Sequence, residues 1–224
     1  MMDSRRGVVI ALLAFGAAAC WRTGEPTPSP GLVTWAAYPE SVRVGELFSF
    51  EFAGPISLTA CGRLDTAYLA ITESLIRLSA DRSTFRAVCA NQRISFYEAR
   101  AIRIPAAGRY EVTTAEGMAL GALVATDSGP FSRMRTLGEG TIRSAGGCWL
   151  FGPGWAGNQR PFALLGAPRT VREEAGSDRV VHVEGTLLGF TLCDWYGSRP
   201  SIRVDTAWVT DRTSSDYYDR DGDG

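Results

Sequence analysis

Four cysteines constrain this chain more than any other feature. Cys61, Cys89, Cys148 and Cys193 remain once a fifth, Cys20, is set aside at the end of an N-terminal export signal. An even set in an exported chain predicts two disulfides, with three pairings open. Pairing in sequence order keeps each bond within one half of the chain. Each bond then closes a loop of about 30 to 45 residues, worth about 3.5 to 4 kcal/mol if it acts by restricting the unfolded chain. Thiolate or zinc chemistry is the competing reading. No Cys-x-x-Cys occurs and the chain has one histidine, a poor ligand set for a structural metal. No metal and no cofactor is expected.

The export signal begins with Arg5 and Arg6. An apolar run from Gly7 to Gly16 follows, too short to span a bilayer, and it ends in Ala17-Ala18-Ala19-Cys20. Small residues before a cysteine resemble the lipobox of bacterial lipoproteins, with Ala17 where that family usually has Leu. The resemblance implies cleavage before Cys20 and a diacylglyceryl group on its thiol. The alternative is an ordinary signal peptide cut at the Ala-x-Ala site. Residues 1–19 thus read as signal peptide and 20–31 as a lipid-anchored linker. Arg22 to Gly31 is a Pro/Thr/Ser tether. Trp21 is not the Asp with which that family commonly marks inner-membrane retention. The implied address is the cell envelope, at the outer membrane or cell surface, with the membrane as a partner through the anchor.

Charge excludes one class of partner. The net charge is −1, and all 23 basic residues are Arg. Nothing here attracts a polyanion, so nucleic acid is not expected.

Residues 32–126 predict short strands and turns. Leu47 to Phe52 alternates cleanly, which puts Phe48, Phe50 and Phe52 on one buried face. Thr84 to Ala90 and Ile94 to Ile104 read as further strands. Many short strands at this spacing suggest a sandwich. Pro105 to Val112 contains Gly108-Arg109-Tyr110-Glu111-Val112. This run resembles the corner before a late strand of immunoglobulin-like β-sandwiches, where the tyrosine hydroxyl bonds back to the turn. Val112 stands where antibody domains have a cysteine, so a Cys61–Cys89 bridge lies elsewhere than theirs.

Residues 127–133 form a turn-rich linker, and 134–210 a second unit. Its strands are Thr141 to Arg143, Cys148 to Phe151, Arg160 to Leu165, Val180 to Glu184 and Ser201 to Val209. Five strands with a glycine bend in the first match the count of a small OB-like barrel. This half resembles the OB-fold-like domains of exported bacterial proteins. That family usually makes the segment after its third strand helical. Pro168 and Gly176 predict no full helix between Gly166 and Asp178 here. The fold class is therefore all-β: an immunoglobulin-like β-sandwich, then a five-stranded OB-like barrel. Residues 211–224 read as an acidic disordered tail. Its last six residues fit only the first half of a calcium loop.

No catalytic signature appears. His182 reads as a surface or sheet-edge histidine, and no Gly-x-Ser-x-Gly elbow presents a nucleophile. Gly152 to Gly157 spells Gly-x-Gly-x-x-Gly but leads into Arg160-Pro161 rather than a helix, so it reads as a hairpin loop. Recognition remains. OB-folds bind on their middle strands and between two loops. Trp155, Arg160 and Phe162 fall in that hairpin as candidate ligand-binding residues: aromatic surface plus a planar donor. Trp149 and Phe151 share a strand face and read as barrel core. The expected function is a binding or assembly module for an envelope protein or glycan. The alternatives are a hydrolase acting on envelope polymers and a spacer that binds nothing.

Overall fold

The computed structural model describes residues 25–85, 88–129, 132–153, 161–174, 179–194, 197–213 and 215–216. The elements in chain order are β1 (Thr27–Gly31), β2 (Trp35–Pro39), β3 (Ser41–Arg43), β4 (Phe48–Ser57), β5 (Gly62–Ile71), β6 (Leu75–Thr84), β7 (Ile94–Ile102), β8 (Gly108–Thr114) and β9 (Ala119–Thr126). β10 (Met134–Ala145), β11 (Cys148–Gly152), β12 (Phe162–Leu165), α1 (Arg169–Glu174), β13 (Arg179–Cys193) and β14 (Gly197–Thr213) follow. They form two mixed sheets. One runs β1-β6-β8-β9-β3, with β5 also on β6. The other runs β11-β12-β14-β13-β10-β2-β4-β7.

The first core lies between the sheets. Phe48, Phe50 and Phe52 of β4 point into it as their alternation predicts, and Ile76, Leu78, Val112 and Leu123 meet them from the other sheet. Tyr38 stacks on Phe50 at 5.0 Å and donates its hydroxyl hydrogen bond to the Leu120 carbonyl at 2.5 Å. Burial pushes its pKa well above the usual phenol range. A side chain at Gly121, whose φ is +94°, would collide with that hydroxyl. Tyr110 donates to the Ala106 carbonyl at 2.9 Å, closing the turn before β8 as a tyrosine corner does.

Two local expectations are corrected. Thr27–Gly31, read as tether, is a strand paired along β6. Pro28 and Pro30 donate nothing to a ladder, and such residues are tolerated on edge strands. Of the expected strand Thr84 to Ala90, only Thr84 lies in a strand among the described residues. The strand is Leu75–Thr84. Its alternation is disguised because the buried Arg82 takes an inward place, donating to Ser29 and to the Ile56 carbonyl.

In the second half, hydrogen bonding closes on itself. β10 pairs β11, β11 pairs β12, β12 pairs β14 in parallel, β14 pairs β13, and β13 returns to β10. This is a five-strand ring within a larger sheet. The ring is continuous with the first half, because β10 also pairs β2 from Met134 to Gly138. Close approach explains the glycines of β10. A Cβ on Gly138 would overlap the Thr34 carbonyl, and one on Gly140 would come within 2.6 Å of the Gly152 carbonyl oxygen. Gly146 and Gly147, at φ 55° and 72°, make the tight turn to β11. The helical segment shortens to the six residues of α1, which bury only Val171.

The ring encloses a second core of Ile142, Phe151, Phe162, Val181, Val183 and Ile202, joined by Trp35 from β2. Trp35 donates its indole N–H to Thr136 Oγ1 at 2.6 Å and lies 5.1 Å from the Phe162 ring. Both disulfides pair in sequence order, Cys61–Cys89 and Cys148–Cys193. They indicate an extracytoplasmic protein.

Trp35→Ala should lower stability by about 3 to 5 kcal/mol, the usual cost of emptying an aromatic site. Urea unfolding measures it. Replacing Cys148 and Cys193 together with Ser should cost about 4 kcal/mol on the chain-entropy account. A midpoint unchanged by either variant would contradict the role given to that group.

Candidate functional site

The ring was expected to present its ligand contacts on the β11–β12 hairpin. Trp155 and Arg160 lie outside the described residues, as does Cys20. Phe162 is described, and it is 3% exposed. It opens β12, pairs with Phe151 and packs on Trp35. Its ring is core, which leaves no face for a ligand. Phe151 is fully buried beside it and Trp149 packs on the same cluster, as their shared strand face predicts.

His182 is not a sheet-edge residue, and on the outer face of the ring it is half-buried. β13 runs between β10 and β14, and the register sets His182 opposite Glu139 on one side and Trp208 on the other. Its ring stacks on Trp208, 4.0 Å between centroids and 14° between planes. Its side chain is 15% exposed. Nε2 is buried, makes no hydrogen bond, and lies 3.4 Å from Glu184 Oε1. Burial lowers its pKa, and the charges of Glu184 and Glu139 only partly oppose this.

Both carboxylates are already engaged. Arg212 Nη1 donates to Glu139 at 2.7 Å, and Arg135 Nη2 to Glu184 at 3.1 Å. Arg135 also reaches Glu40, just past β2, at 3.4 Å. The cluster therefore fastens β10, β13 and β14 to the end of β2. Among the described residues no group of three His, Cys, Asp or Glu is placed to hold a metal ion.

The exposed chemistry lies elsewhere. Beyond Thr186, β13 leaves β10 and continues to Cys193, paired among the described residues only with β14, from Gly197 to Ile202. This arm carries Leu188, Phe190 and Leu192 at 39%, 72% and 78% exposure. Its tip is tied to the start of β11 by Cys148–Cys193. Sequence reasoning ended this strand at Glu184 and missed the arm. The signal was the apolar alternation of Leu188, Phe190 and Leu192, which without a register does not say whether a face is buried. The chain matches no family model, no curated protein and no solved structure.

An unfolded histidine titrates near pH 6.5, and the folded His182 titrates below that. Between the two values the unfolded chain binds more protons, so stability there rises with pH. The contribution of neutral His182 is complete above the unfolded value and is lost as pH falls toward the folded one. Urea midpoints of wild type should drop between about pH 7.5 and pH 5.5, and His182→Gln should show a smaller drop. Equal drops in both proteins would contradict this account.

Proposed function

We propose that this chain is an envelope lipoprotein, anchored through Cys20, that works as a binding or assembly module for another envelope protein. The observation that carries this reading is the five-strand ring. Numbering its strands from β10, the order is 1-2-3-5-4-1, with a parallel 3–5 pair and a short helix between the third and fourth. We read this as an OB-fold barrel. Such barrels bind on the face of their second and third strands and between the loops that follow the first and fourth. Here those loops are Gly146–Gly147 and the β13–β14 turn, held together by Cys148–Cys193.

The immunoglobulin-like reading of the first half rests on the Tyr110 corner and on face-to-face sheets. The parallel β6–β8 and β3–β9 pairs depart from the antiparallel sheets of that family. Export is favoured by the two disulfides, and lipidation by the Ala-Ala-Ala-Cys run before a tether. Near-neutral charge favours a protein or glycan over nucleic acid.

Two experiments test the reading. Replacing Trp155 and Arg160 together with Ala should abolish pull-down of the envelope partner and leave thermal unfolding unchanged. Retained pull-down removes the site from that loop. Radiolabelled palmitate should enter the wild-type chain and fail to enter Cys20→Ser. Label in both, or in neither, rules out the anchor.

A further inference from the structure

We infer that β1 is a releasable strap, which peels from β6 while the rest of the fold stays closed. The inference does not depend on the ligand or anchor readings above.

Little holds the strap down. Thr27, Pro28 and Pro30 are exposed, Ser29 is half-buried, and only Gly31 is buried. Leaving β6 therefore uncovers little apolar surface of β1. Pro28 and Pro30 have no N–H, so at most three of the five residues can donate to the ladder. A side chain of β6 completes the attachment: Arg82 Nε donates to Ser29 Oγ at 3.2 Å.

Strand β6 is held independently of the strap. β5 pairs along its other side from Gly62↔Thr84 to Ile71↔Ile76, and β8 pairs with Leu75 to Leu78. Arg82 keeps the Ile56 carbonyl as an acceptor. Release therefore takes one acceptor from the guanidinium and opens that donor to water. The edge so uncovered, Ala80 to Thr84, carries Asp81 and Arg82. Charges of this kind guard a bare edge against pairing with another chain.

The peel has a fixed end. A Cβ at Gly31 would come within 2.9 Å of the Ala80 Cβ. Val33, two residues on, is fully buried in the first core. Opening from the Thr27 end stops at that pin. With the chain anchored at Cys20, release lengthens the tether from the seven residue steps that end at Thr27 to the twelve that end at Leu32. At full extension that is a change from about 24 Å to about 41 Å. This consequence alone rests on the anchor.

Hydrogen exchange of the full chain in detergent micelles, resolved to single amides by NMR, tests the strap. From Ala80 to Thr84 successive amides of β6 point alternately to β1 and to β5. Those turned to β1 should exchange at least about a hundredfold faster than those turned to β5, because they open locally. Ser29→Ala removes the Arg82 contact. It should speed the β1-facing set by a further factor of about five and leave the β5-facing set and the thermal midpoint unchanged. Measuring Cys20→Ser beside the wild type keeps the test apart from the anchor: the contrast should appear in both, and its absence from either overturns the inference. Equal protection on the two sides of β6 overturns it, whether both sets are slow or both are fast. So does a Ser29→Ala chain whose β1-facing amides exchange at the wild-type rate.

Discussion

Strand β10 is the constraint on which both cores depend. One stretch of it pairs with β2, the next with β11, and β13 runs alongside both. A strand can serve so many neighbours only if other backbones approach it closely. Gly138 and Gly140 supply that closeness, because any Cβ there would strike the Thr34 or Gly152 carbonyl. Through this seam β2 carries Trp35 into the ring, where its indole meets Phe162 and is held by Thr136. The side chain most central to the second core therefore comes from the first half of the chain.

Polar contacts on the outside of the ring follow from the same packing. With β13 held between β10 and β14, His182 lands between Glu139 and Trp208. Both nearby carboxylates meet guanidinium groups, and His182 stays neutral because burial outweighs their pull. A half-buried imidazole of this kind fastens strands together. Where β13 outruns β10, the same strand carries the exposed side chains of Leu188, Phe190 and Leu192.

Much of the fold was legible in the residues. The Phe48-Phe50-Phe52 alternation marked a core face, and Tyr110 found its turn carbonyl. The five strands of the second half were each located in part, and the economical disulfide pairing is the one formed. These features are local or follow from chain connectivity. What escaped was non-local. β6 hid because Arg82 is buried yet satisfied by groups 26 and 53 residues away. Phe162 was taken for a contact because a sequence cannot report that Trp35 lies over it. The arm was missed for the complementary reason: exposed apolar alternation looks the same as buried alternation until the neighbouring strand is seen to stop.

By itself, then, the sequence determined the mainly β class, the two cystines of an extracytoplasmic protein, and the near-neutral net charge. Those follow from periodicity, cysteine count and composition, which act along the chain. Tertiary structure alone decided that the two halves share one sheet, that the ring closes through a parallel pair between β12 and β14, and which apolar residues remain in water. Strand partners are chosen by packing across a hundred residues, and no stretch of chain carries its neighbour's address.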